Sequence, residues 1–118
     1  MTTITKSLYL DGLRCEKLLW FRVNAEEDIP PPDAGARAQM EEGSRVGRLA
    51  HNLYPGGTLV SQPNWAEASQ ETQALLKGRK PIFEAAFMAN GMATRVDILV
   101  PAIDGGWHVL EVKSHGPQ

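Results

Sequence analysis

A single cysteine, Cys15, stands in a chain of 118 residues, which excludes an intrachain disulfide and suits a cytoplasm that keeps thiols reduced. Long hydrophobic runs are missing as well: no stretch of about 18 apolar residues is present, so no transmembrane helix is expected. The opening Met-Thr-Thr-Ile-Thr-Lys has neither the apolar run nor the small-residue cleavage site of a secretory signal. Charge of neither sign is in surplus. Lys and Arg number 12 against 14 Asp and Glu, a net charge of −2, which excludes an all-round basic coat for nucleic acid. What remains is ordinary for one small soluble globular domain spanning 1–118, with 42% apolar and 22% charged residues.

The basic residues are nevertheless clustered. Arg37, Arg45 and Arg48 share one stretch, Lys77, Arg79 and Lys80 follow another, and Lys6, Arg14, Lys17 and Arg22 dot the start. A local basic groove beside an acidic site is compatible with this distribution, and so are solvated helix faces.

Helical signals fill the first two thirds. Ser7 is a candidate N-cap for a helix reaching about Arg22, with Leu10, Leu13, Cys15, Leu18, Leu19 and Trp20 as apolar positions. Asn24–Pro32 reads as an acidic, proline-ended linker. A second helix is expected from about Asp33 to Tyr54, stopped by Pro55-Gly56-Gly57. Thr58–Ser61 reads as a short extended piece, and Asn64 caps a third helix to about Leu76, near Gly78. Within the second helix Gly43, Gly47 and His51 recur every four residues and so share a face. Glycine inside a helix costs about 1 kcal/mol relative to alanine, and two at this spacing suggest a close backbone approach. If the sheet is what approaches, His51 is delivered beside it.

Three strands follow, Pro81–Ala89, Met92–Val100 and Trp107–Ser114. Asn90-Gly91 is a strong two-residue hairpin signal, because a type I′ turn needs positive φ at both positions. Such a turn sets Ala89 opposite Met92 and carries the ladder back to Glu84 opposite Asp97. An odd-residue loop centred on Asp104 then sets Asp97 opposite Glu111, with Lys113 on the same face because side chains repeat every two residues. The other face reads as core, with Phe83, Ala85 and Phe87 against Thr94, Val96 and Ile98, then Leu110 and Val112. An even, unbulged loop would turn Asp97 and Glu111 to opposite sides. Like charges directly opposite are destabilising without compensation, so Glu84, Asp97 and Glu111 side by side need a cation or a raised pKa.

Carboxylate oxygens suit hard divalent ions such as Mg²⁺ and Mn²⁺, and an imidazole shifts the balance towards Mn²⁺. A lysine on the same face is placed to steady attacking water while the metal offsets phosphate charge. This chemistry is phosphodiester hydrolysis, and it needs neither a nucleophilic cysteine or serine nor a glycine-rich phosphate loop.

Asp97, thirteen further residues and then Glu111-Val112-Lys113 together resemble the PD-(D/E)XK nuclease signature. Leu13-Arg14-Cys15-Glu16-Lys17-Leu18-Leu19-Trp20 is similar to the opening of RecB-type and CRISPR-associated exonuclease domains. Ile82-Phe83-Glu84-Ala85-Ala86-Phe87 and Ala93-Thr94-Arg95-Val96-Asp97-Ile98-Leu99 are similar to nuclease domains that open larger bacterial proteins. The resemblance covers about Ile4 to Ser114. It implies a metal-dependent deoxyribonuclease of restriction-endonuclease-like α+β fold, with N-terminal helices on a mainly antiparallel three-stranded sheet. His51, Asp97 and Glu111 are the implied metal ligands, with the carbonyl of Val112, and Lys113 is the implied catalytic lysine. Glu84 is either a further ligand or a residue behind the ligands. Arg45, Arg48 and Arg95 are the candidate contacts to DNA.

In iron–sulphur relatives Cys15 would be the first of four cluster ligands. The other three are missing here, so no iron–sulphur cluster is expected and Cys15 reads as a packed thiol. The family core also runs on for a helix and a strand beyond this chain's last residue. That implies either a piece of a longer chain or a sheet edge covered by self-association. The alternative to an enzyme is a catalytically inactive nucleic-acid-binding or assembly module that keeps the fold.

Overall fold

The hairpin at Asn90-Gly91 organises the sheet. In the computed structural model, which describes residues 3–113, Asn90 and Gly91 have φ of 52° and 77°, as a type I′ turn requires. They join β3 (Ile82–Ala89) to β4 (Met92–Pro101). The antiparallel register runs from Ala89 opposite Met92 to Ile82 opposite Leu99. A five-residue loop, Ala102–Gly106, leads into β5 (Trp107–Leu110), which sets Leu110 opposite Ile98 and Trp107 opposite Pro101. This is the register expected of a loop centred on Asp104.

The protein is α+β with a mixed sheet rather than a three-stranded antiparallel one. β1 (Ile4–Thr5) pairs parallel with β4, and β2 (Thr58–Leu59) pairs parallel with β3. The strand order is β1-β4-β3-β2, and β5 also pairs with β4. Two-residue strands carry no periodicity, so their pairing was not legible in advance. β1 and β5 share one edge of β4, at its opposite ends. Among the described residues the outer edge of β5 has no strand partner. The third strand stops at Leu110 rather than Ser114, and Ser114 lies outside the described residues.

The long first helix is two. α1 (Lys6–Arg14) is capped by Thr5, whose side chain accepts the Leu8 N–H at 3.2 Å, and α2 (Glu16–Asn24) follows after an extended Cys15. At that break α2 folds back on α1, so that an added Cβ on Gly12 would lie 2.9 Å from Leu19. Arg22 reaches Asp11 at 3.3 Å. Cys15 is exposed instead of packed. The expected linker contains one 3₁₀ turn, Glu26–Asp28. α3 (Ala34–His51), capped by Asp33, and α4 (Trp65–Leu76), capped by Asn64, lie where expected, α3 ending three residues before Tyr54.

The core is small. Val60, Ala68, Ile82, Ala85, Ala86 and Leu99 form it, with Trp65, Leu76 and Trp107 packed around. α4 lies along β3 and pins it through Thr72, fully buried, whose Oγ1 donates to the Ala68 carbonyl and accepts the Ala86 N–H, both at 2.9 Å. Successive residues of β3 are buried, so it is covered on both sides. The expected division into one apolar and one acidic face therefore fails at Phe83, whose ring meets His51 rather than the core cluster.

Candidate functional site

α3 supplies one wall of a cleft beside the sheet. Met40, Gly43, Ser44, Gly47, Arg48 and His51 face Leu59, Glu84, Asp97 and Val112 across a cavity of about 560 Å³. α3 buries no residue fully. The glycine stripe thus borders open space and not a close neighbour: a Cβ on Gly47 would meet nothing within 4 Å. His51, the last residue of α3, stacks on Phe83 with ring centroids 4.1 Å apart and planes 12° apart. Phe83 is itself pressed by the turn after α3, where an added Cβ on Gly57 would lie 2.4 Å from the ring. Helix end, turn and strand are locked together at the cleft.

Glu84 is the perturbed acid of the cleft. Burial pushes the Glu84 carboxyl above its usual 4.5, the charge of Asp97 adds to the rise, and Arg95 and His51 oppose it. Asp97 is steadied by the Val112 N–H, which donates to its Oδ2 at 2.8 Å. It is that N–H, rather than the carbonyl expected to complete a metal shell, for which a polar contact is seen.

Glu111 and Lys113 are not brought into this cleft. The β4–β5 ladder ends at Leu110, one residue short of Glu111, so strand alternation no longer sets where Glu111 points. Its carboxylate lies 3.1 Å from Lys113 Nζ and 3.5 Å from Lys6 Nζ. Those lysines, Lys113 first, hold its pKa below the ordinary value. Glu111 and Asp97 instead line a smaller cavity of about 170 Å³ with Lys6 and Thr94, so Asp97 borders both spaces. Lys6 was missed from sequence because only the short β1 pairing brings it there.

The three candidate arginines have different surroundings. Arg48 stands on the cleft wall. Arg45 makes a bidentate pair with Glu42, at 2.7 and 3.1 Å, on the exposed side of α3. Arg95 is turned inward, donating to the carbonyls of Val60, Gln62 and Glu84.

Two carboxylates and an imidazole facing one cavity fit a hard divalent cation in kind, and their mutual repulsion is what such an ion relieves. Among the described residues no three His, Cys, Asp or Glu side chains are gathered closely enough to hold an ion as they stand. Comparison with known proteins assigns no family: no family model matches the chain, and neither a curated protein nor a solved structure matches it.

Proposed function

We propose that this chain is a divalent-metal-dependent nuclease of the PD-(D/E)XK type, acting on DNA in the cytoplasm. The observation that carries the reading is the cleft itself, where Glu84, Asp97 and His51 line one cavity. Asp97, Glu84 and His51 would hold Mg²⁺ or Mn²⁺, and the bound ion would polarise the phosphate and activate water. Asp97 is oriented for this by the Val112 N–H. Arg48, on the same wall, supplies a cation for the phosphate backbone. Glu111 and Lys113, beyond Asp97, complete the signature in sequence, and Lys113 is the proposed catalytic lysine. Cytoplasmic location rests on the single cysteine. Among the described residues, no helix is long and apolar enough to cross a membrane.

Calorimetric titration with Mn²⁺ tests the cleft: wild type binds, and Asp97→Ala loses the heat of binding. Equal affinity in the two proteins removes the proposal. With linear and supercoiled DNA, Lys113→Ala is expected to spare Mn²⁺ binding and slow cutting by about 10²-fold or more. One observation favours a second reading, an inactive DNA-binding or assembly module: Glu111 and Lys113 are paired with each other outside the cleft. Retention of DNA without Mn²⁺-dependent cutting selects that reading.

A further inference from the structure

The middle of β3 carries a backbone conformation that a strand does not need. Glu84 has φ of 59°, in the left-handed region where a Cβ crowds the following carbonyl oxygen. Its neighbours keep the register, Phe83 opposite Ile98 and Ala85 opposite Val96, yet no ladder pair joins Glu84 to Asp97. Equal numbers of residues run along both strands there, so no extra residue causes the distortion.

The groups around Arg95 account for its persistence. With Glu84 out of the ladder, its carbonyl oxygen accepts from Arg95 Nη1 at 3.1 Å. The same nitrogen donates to the Val60 carbonyl at 3.2 Å, Nη2 donates to the Gln62 carbonyl at 2.6 Å, and the guanidinium lies 5.2 Å from the centre of the Trp65 ring. One planar fork therefore ties the segment between β2 and α4 to the displaced peptide of β3. A strained backbone residue survives only where its surroundings over-determine it, and such residues cluster at functional sites.

We infer that Arg95 is a positioning residue: its guanidinium holds the left-handed backbone at Glu84 and so aims that carboxylate into the cleft beside Asp97. The second half rests on the cation-binding reading of the cleft, whereas the first half does not. Lysine cannot replace this function, because a single ammonium cannot present a rigid fork to three carbonyls. The role differs from the surface contact to DNA that a basic residue on a strand first suggests, since the guanidinium is turned to three backbone carbonyls.

Two double-mutant cycles test the inference. Without metal, Arg95→Lys is expected to lower the melting temperature by about 5 °C. At least half of that loss disappears in a Glu84→Gly background, because glycine adopts positive φ without being held. The same loss in both backgrounds would mean that Arg95 only staples the β2–α4 segment, and overturns the inference. With Mn²⁺, Arg95→Lys is expected to weaken binding by about 10- to 100-fold and to cost nothing further in a Glu84→Gln background. An equal fall in both backgrounds also overturns it. If wild type binds no Mn²⁺, the cleft reading is lost, and the metal-free cycle alone decides whether Arg95 holds Glu84. Should Arg95→Lys fail to fold, Glu84→Gly is to melt higher than Glu84→Ala, and an alanine variant melting as high refutes the held conformation.

Discussion

Glu84 concentrates the physics of this molecule at the residue scale. It is bent into a left-handed conformation, partly desolvated, and set beside a second carboxylate. Its proton is therefore bound more tightly in the folded chain than in the unfolded one. By linkage, such a carboxyl favours folding at low pH, and that contribution is lost as pH rises from 4.5 through the higher folded value. Glu84→Gln keeps the shape and removes the titration. Melting temperatures taken in the absence of metal should favour the variant increasingly from about pH 4 to about pH 7. A difference between variant and wild type that does not move with pH means the carboxyl is not perturbed in the fold.

At the scale of elements, the best-built joint is α4 against β3. Thr72 is fully buried and answers a donor on one element and an acceptor on the other. Thr72→Val keeps the volume but leaves the Ala86 N–H buried without an acceptor, which costs about 1–3 kcal/mol. Urea unfolding should show that loss, with Thr72→Ser close to wild type. A valine variant as stable as wild type would mean that water reaches the site. The α1–α2 pair is joined differently, by Gly12 against Leu19 and by the Arg22–Asp11 ion pair, and it leaves Leu13 and Trp20 exposed.

At the scale of the whole molecule, the chain is spread out. Its radius of gyration is 16.1 Å, against about 13.5 Å for a compact domain of this length. α3 borders the cleft without closing it. Contact between α3 and the sheet is made at one end of the helix, where His51 rests on Phe83 and Gly57 presses the same ring. Gly57→Ala drives a methyl into that ring, a strain of about 1–3 kcal/mol. It is expected to weaken Mn²⁺ binding although Gly57 is not among the residues lining the cleft. Paired urea unfolding and calorimetry check this, and undiminished Mn²⁺ affinity would show that the His51–Phe83 stack does not position the imidazole.

Local chemistry made much of this legible. The cap at Asn64 acts within three residues, Pro55-Gly56-Gly57 stops a helix by its own backbone limits, and the turn at Asn90-Gly91 needs only its own φ preferences, so α3, α4 and the β3–β4 register followed from sequence, whereas the cap expected at Ser7 is Thr5 instead. That Asp97 lies near enough for its charge to act on Glu84 also followed from that register, although the ladder itself skips the expected Glu84–Asp97 pair because Glu84 turns left-handed. The break at Cys15, the parallel additions of β1 and β2, and the capture of Glu111 by Lys6 depend on residues far apart in the chain, which no periodicity reports. The inward turn of Arg95 is of the same kind, as its three carbonyl partners come from two separate segments. What the amino-acid order determined was where the chain must cap, turn and alternate, because those preferences are satisfied by near neighbours. Which acids share a cleft, and which are held by lysines outside it, was settled by packing, because strand pairing and charge capture act across space after the local elements have formed.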